Sequence, residues 1–163
     1  MKNSINFHGY TLVPLFSNKK IEKRVTELGK ELSNQFKNEI PIFIGVLNGS
    51  FIFISDLLRR LSIDCEMDFI KVSSYEKTNS TGTVHLLKDI SADITGRHVI
   101  IVEDIIDSGL TIRFLKSRLE EAEPKSITTV SLLYKPLVAN LDFSIDYIGF
   151  EIPNDYVVGY GLD

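Results

Sequence analysis

A single cysteine, Cys65, stands among 163 residues, so no disulfide can form within this chain, and no Cys/His cluster has the spacing of a zinc site. Cys65 reads as a buried apolar residue. No apolar run approaches the roughly 20 residues that a membrane span requires, and the opening MKNSINFHGY lacks the apolar core of a signal peptide. The expectation is a cytoplasmic protein with no membrane partner. Positive charge is also short: 18 Lys and Arg stand against 22 Asp and Glu, a net charge of -4, the opposite of the footprint of a general nucleic-acid binder. Internal repeats, low-complexity tracts, the G-x-G-x-x-G fingerprint and the Gly-Lys-Ser/Thr phosphate loop are all absent. What remains, with 44% hydrophobic and 25% charged residues, is an ordinary globular composition of one-domain length that points to a small-molecule ligand.

The apolar residues Ile21, Val25, Leu28, Leu32 and Phe36 recur at steps of three and four behind Ser17, which predicts a capped amphipathic helix ended by Pro41. Residues 42–47 are a continuous apolar run, the mark of a strand buried on both faces. Asn48, Gly49 and Ser50 then turn the chain into an apolar helix over 51–61. Cys65, Met67 and Phe69 alternate with Glu66 and Asp68, predicting a strand whose acids lie on its wetter face and which runs on to Tyr75. The polar, aperiodic stretch 76–83 reads as a mobile loop, and 84–87 pairs locally. A second fully apolar strand, 99–102, ends in acid at Glu103 and Asp104. A helix near 111–121, a strand over 126–134, and the segments 145–152 and 156–160 complete the elements. Strands alternating with helices predict one α/β domain, 1–163, built on a mainly parallel central sheet flanked by helices.

In such a sheet ligands bind at the carboxyl ends of the strands. The richest strand end is Val99-Ile-Ile-Val-Glu-Asp-Ile-Ile-Asp-Ser-Gly-Leu-Thr111. Amides at a helix start, a glycine that allows close approach and the hydroxyls of Ser108 and Thr111 make a phosphate cradle. Glu103 and Asp104 would repel a bare phosphate. A sugar phosphate removes the conflict, because carboxylates accept hydrogen bonds from vicinal hydroxyls while the loop amides hold the anion. Neighbouring strand residues point to opposite faces, so the two acids serve one ligand only if the chain bends there, as at a strand end. The plainer alternative is that these acids cap the helix near Thr111.

This segment closely resembles the ribose-phosphate signature of the type I phosphoribosyltransferases, and the remaining motifs resemble the hypoxanthine-guanine phosphoribosyltransferases among them. Those motifs are Gly45-Val-Leu-Asn-Gly-Ser50, Ser74-Tyr75 before the polar loop, Leu132-Leu-Tyr-Lys-Pro136, and Gly149-Phe-Glu-Ile-Pro153 followed by Val157-Val-Gly-Tyr-Gly-Leu-Asp163. The resemblance implies a core over about 17–135 with a small hood from 1–16 and 136–163, and a homodimer or homotetramer. It also implies purine salvage: hypoxanthine or guanine plus 5-phosphoribosyl 1-pyrophosphate gives the nucleoside monophosphate and pyrophosphate, with Mg²⁺ required.

Residue by residue, the resemblance assigns Glu103 and Asp104 to the ribose hydroxyls, directly or through Mg²⁺ and water, and Asp107, Ser108, Gly109, Leu110 and Thr111 to the 5'-phosphate. Asp107 is the general base, its family counterpart facing N7 of the purine. Leu47, Asn48 and Gly49 match the loop that meets pyrophosphate, where the family often has a non-proline cis peptide; human-type members carry lysine in place of Asn48. Ser74 and Tyr75 begin the flexible loop, expected to close over the site. Lys135 matches the donor to the 6-oxo group, Tyr156 the ring that stacks on the base, Val157 the backbone at the purine edge, and Asp163 an acid near the second metal. Alone, Lys135 would read as a solvated lysine and Tyr156 as a small-core tyrosine. His8, His85 and His98 match no catalytic motif and are taken as structural. Two rival functions stay open: an RNA-binding regulator of the same fold, and a transferase preferring xanthine.

Overall fold

The computed structural model describes residues 4–75 and 83–162. The first two elements, β1 (Ile5–Phe7) and β2 (Tyr10–Leu12), form a two-stranded antiparallel sheet of their own. The long helix α1 (Asn18–Gln35) starts where expected, with the Ser17 side chain accepting from the Lys20 amide, and its apolar stripe buries Val25, Leu28 and Leu32. There follow β3 (Ile42–Leu47), α2 (Phe51–Leu58), β4 (Glu66–Tyr75), β5 (Thr83–Lys88), β6 (His98–Ile106), α3 (Leu110–Glu120), β7 (Ser126–Tyr134) and β8 (Tyr147–Glu151).

The central sheet has the order β5-β4-β3-β6-β7-β8. Only β5 runs antiparallel, against β4; the other neighbours are parallel. The period of two along each central strand divides the core between the faces. Phe43, Ile100, Val102, Val130 and Leu132 face α1 and α2, while Ile42, Ile44, Val46, Val99 and Ile101 face α3. Each fully buried side chain of this kind stabilises the fold by about 1.5–3 kcal/mol relative to exposure. Such burial on both faces is what a continuous apolar run requires.

Several expectations are corrected. Strand β6 does not stop at the acid pair but continues to Ile106, because β7 pairs with it as far as Ile106↔Tyr134, whereas β3 leaves it after Gly45↔Val102. At β4 the expected alternation holds for Cys65 and Phe69, which pack against the core, and for the exposed Glu66, but not for the next pair. Met67 is 47% exposed, while Asp68 is largely covered and accepts from the Ser91 and Ala92 amides at 2.5 and 3.0 Å. A carboxylate that ties down a following loop belongs on the inner side whatever the alternation says. Helix α2 ends at Leu58, three residues early. Residues 156–160 form no strand; a single bridge, Gly159↔Leu162, closes a turn there. Within the C-terminal segment expected as hood, Tyr147–Glu151 is the edge strand of the main sheet. Arg24 of α1 donates to the Ile148 and Gly149 carbonyls on this edge, and Phe16 stacks on Phe150, which covers it. The polar stretch 76–82 and Asp163 lie outside the described residues.

Candidate active site

The carboxyl ends of β3, β6 and β7 converge on one edge of the sheet, and the turn from β6 into α3 frames a cavity of about 310 Å³. Its lining includes Glu103, Asp107, Ser108, Gly109 and Thr111, so the acid pair's first member and the expected phosphate cradle share one space. That volume sits at the lower end of small-molecule sites.

The cradle depends on one glycine. Gly109 is the N-cap of α3 with φ +86°, a left-handed conformation that side chains rarely adopt, and a Cβ there would also overlap Leu141. Ser108 Oγ accepts from the Leu110 amide at 3.4 Å, and the Ser108 carbonyl accepts from the Asn140 amide at 3.3 Å, tying the cradle to the chain beyond β7. Asp107 does not cap the helix. Its Oδ2 instead accepts from Lys135 Nζ at 2.7 Å. Lys135 is not the solvated lysine its isolation in sequence implies: it is 7% exposed, at the end of β7, with its own amide donating to the Ile106 carbonyl.

Glu103 and Asp104 are buried side by side on β6. Glu103 Oε2 has no hydrogen-bond partner among the described residues. Burial first, and the neighbouring Asp104 charge second, raise the Glu103 carboxyl well above the usual carboxylate range. An orphaned buried carboxylate oxygen is a costly feature that a cation or a hydroxyl donor would relieve. Among the described residues no group of three or more His, Cys, Asp or Glu gathers into a metal site. Two hard carboxylates, completed by substrate oxygens and water, are nevertheless a usual donor set for Mg²⁺, so the pair fits such an ion.

The turn after β3 joins this group from the other side. The Leu47–Asn48 peptide is cis, as expected of this loop. Gly49 packs directly against the Asp104 carboxylate, leaving no room for a Cβ, and Gly161 packs in the same way on the Gly49 carbonyl. Three of the motifs, far apart in sequence, thus stack in space. The structure brings together Gly49, Glu103, Asp104, residues 107–111 and Lys135. It leaves Asn48 exposed, the Tyr156 ring 77% exposed, and Val157 half-buried against the core on the α1 and α2 side. The small-core alternative for Tyr156 is therefore excluded. Ser74 and Tyr75 end β4 as expected. Sequence reasoning missed Asp56, whose carboxylate accepts from the Tyr160 hydroxyl, and Leu141 under the cradle. Neither carries a signal in sequence, because each acts only through a neighbour brought by the fold.

Comparison with known proteins agrees with this geometry. Residues 14–163 match the phosphoribosyl transferase domain. The chain is 45% identical over 150 residues to the hypoxanthine-guanine phosphoribosyltransferase of Bacillus subtilis, covering 91% of this chain and 83% of that one. It is 43% identical over 150 residues to the bifunctional protein TilS/HprT of Listeria monocytogenes, covering 91% of this chain but spanning only 23% of that protein's length. The solved structure of Trypanosoma cruzi hypoxanthine phosphoribosyltransferase in complex with the product IMP superposes with a TM-score of 0.84 at 40% identity, covering 91% of this chain and 84% of that one. With its six-stranded sheet, its acid pair and its glycine-bearing strand-to-helix turn in the family's order, the chain belongs to the phosphoribosyl transferase domain family.

Proposed function

We propose that this chain transfers the 5-phosphoribosyl group of 5-phosphoribosyl 1-pyrophosphate to hypoxanthine or guanine, giving IMP or GMP and pyrophosphate. One observation carries the reading: a buried acid pair and an amide-rich cradle line the two sides of a single strand-to-helix turn, which suits a ligand bearing both hydroxyls and a phosphate. The 45% identical relative from Bacillus subtilis, named for that activity, supports it.

On this reading the cradle, 107–111, holds the 5'-phosphate, and Glu103 and Asp104 accept from the ribose hydroxyls. Glu103 and Asp104 would hold Mg²⁺, which when bound would supply charge neutralisation for the departing pyrophosphate. The bond between the anomeric carbon and pyrophosphate oxygen breaks as a purine nitrogen bonds to that carbon, and the proton released from the base passes to Asp107. The acidic pair faces the positive charge that grows on the sugar ring. Lys135 donates to the 6-oxo group, Tyr156 stacks on the base, the Val157 backbone meets the purine edge, Leu47, Asn48 and Gly49 meet pyrophosphate, and Asp163 attends the second metal. The same reading makes the chain a cytoplasmic homodimer or homotetramer. The exposed apolar side chains Phe7, Tyr10 and Val13, on and beside the small N-terminal sheet, support association.

The test is IMP formation from hypoxanthine and 5-phosphoribosyl 1-pyrophosphate, run with guanine and xanthine in parallel and repeated with a chelator. Activity lost on chelation and restored by Mg²⁺ is expected. Failure to release pyrophosphate with any of the three bases would overturn the reading.

A further inference from the structure

The C-terminal turn holds none of the groups that carry the chemistry above, yet it is fastened at three points. Tyr160 Oη donates to Asp56 Oδ2 on α2 at 2.5 Å, across 104 positions of sequence. Gly159 and Leu162 exchange backbone hydrogen bonds of 3.0 and 3.1 Å, which close the turn. Gly161 rests on the Gly49 carbonyl with no space between them for a side chain.

The backbone here is unusual. Gly159, Tyr160 and Gly161 have φ of +96°, +56° and +99°, three left-handed residues in succession. Glycine takes this conformation freely, but a tyrosine keeps it only where its surroundings over-determine it. Two contacts do so here: the side chain packs against the core on the α1 and α2 side, and the hydroxyl donates to Asp56. Burial raises the Tyr160 phenol above its ordinary range, and the bond to Asp56 adds to this, so the hydroxyl stays a donor across neutral pH. Burial opposes ionisation of Asp56, but the Tyr160 hydroxyl and the guanidinium groups of Arg59 and Arg60 outweigh it and hold the carboxyl below the usual range.

The contacts run in one direction through the site: Asp56 to Tyr160, Gly161 to the Gly49 carbonyl, Gly49 to the Asp104 carboxylate. We propose that Tyr160 and Asp56 are positioning residues whose hydrogen bond seats Gly161 on the 47–49 loop and sets that loop's distance from Asp104, and hence the affinity for the diphosphate group. The proposal rests on the reading of 47–49 as the pyrophosphate loop. Val157, upstream of the turn, packs against the same core as Tyr160 and Leu162 but through its own side chain, a contact that loss of the Tyr160 hydroxyl leaves in place, so the segment next to the base should be affected less.

Steady-state kinetics on Tyr160→Phe, Asp56→Asn, Asp56→Ala and the double variant Tyr160→Phe/Asp56→Ala test this. Tyr160→Phe keeps the ring and its packing, so it is expected to fold. It should raise KM about tenfold both for 5-phosphoribosyl 1-pyrophosphate and for pyrophosphate in the reverse direction, the size of one lost charged hydrogen bond. KM for hypoxanthine should stay within about twofold of wild type. Asp56→Asn, which still accepts from the hydroxyl, should keep most of the diphosphate affinity that Asp56→Ala loses. The double variant should be no worse than Asp56→Ala, because both changes remove the same bond. Equal rises in KM for base and diphosphate, losses that simply follow the melting temperature, or additive effects in the double variant would each overturn the positioning role. A Gly49→Ala enzyme with unchanged KM for both diphosphate substrates would instead overturn the pyrophosphate reading of the loop, and this inference with it.

Discussion

Lys135 Nζ donates to Asp107 Oδ2 at 2.7 Å, so the residue expected to read the base and the residue expected to take its proton form one ion pair. The lysine side chain is 8% exposed and the aspartate 49% exposed, so the cation is the enclosed partner and the carboxylate is the one that reaches the cavity. The ammonium orients the carboxylate through a charge-assisted hydrogen bond, and the carboxylate gives a poorly solvated cation its counter-charge. Each residue therefore affects the other's function, and substitutions at the two positions should not be independent.

Lys135→Ala should raise KM for hypoxanthine about 10–100-fold, the loss of a hydrogen bond from a charged donor. KM for 5-phosphoribosyl 1-pyrophosphate should change far less, because Ser108 to Thr111, the rest of the cradle, make no hydrogen bond with the lysine side chain that the substitution removes. Kinetics with adenine as competitor check the assignment: if discrimination between adenine and hypoxanthine is unchanged, Lys135 does not read the 6-position.

Asp107→Asn keeps an acceptor for Lys135 and the shape of the turn while removing the basic carboxylate. Positioned bases contribute roughly 10²–10⁴-fold, so kcat should fall by that range with substrate binding changed less. Single-turnover measurements separate the chemical step from product release; a fall below about tenfold, against that range, would send the search for the base elsewhere.

Gly49→Ala should weaken use of the diphosphate substrate, because the added methyl overlaps the Asp104 carboxylate and must push the loop or the acid away. Overpacking of this kind typically costs about 1–3 kcal/mol of stability. Thermal melting and the KM for 5-phosphoribosyl 1-pyrophosphate, measured on the same preparation, read both effects.

Asp68 offers a pH test remote from the site. Burial opposes its ionisation, but amides of Phe69, Ala92 and Ser91 and the Lys88 charge outweigh this and hold its carboxyl below the usual range. A carboxyl whose folded pKa lies below its unfolded value adds stability that is fully present above the unfolded pKa and is lost as pH falls through the folded one. Asp68→Asn should therefore destabilise the fold by about 1–3 kcal/mol at neutral pH. The gap from wild type should narrow below about pH 4, near the unfolded carboxyl pKa. Urea unfolding at a series of pH values checks this, and a gap independent of pH would rule it out.

The local order of elements was legible in the sequence because it rests on periodicity and punctuation. The i, i+3, i+4 stripe of α1, the continuous apolar runs of β3 and β6 and the glycine that starts α3 are all carried by neighbours in the chain. The cradle was legible for the same reason: Asp107 to Thr111 is a single turn whose chemistry lies in consecutive residues. The acids of β6 could be read from the sequence in the same way, because Glu103 and Asp104 end an apolar run only a few residues before the cradle.

Where a strand ends and which of its faces is buried were decided elsewhere. Continuation of β6 to Ile106 depends on pairing with β7, and the inward turn of Asp68 depends on amides more than twenty positions away. The place of Tyr147–Glu151 in the main sheet depends on β7, with Arg24 of α1 covering its free edge. The pairing of Lys135 with Asp107, the close contact of Gly49 with Asp104 and the Tyr160 bond to Asp56 each join residues from different elements. Composition and spacing determine what each segment can form, since backbone propensity and periodicity act over a few residues. Only the packed fold decides which side chains meet, since hydrogen bonds, ion pairs and steric contact act between atoms that the folded chain has brought within a few ångströms of each other.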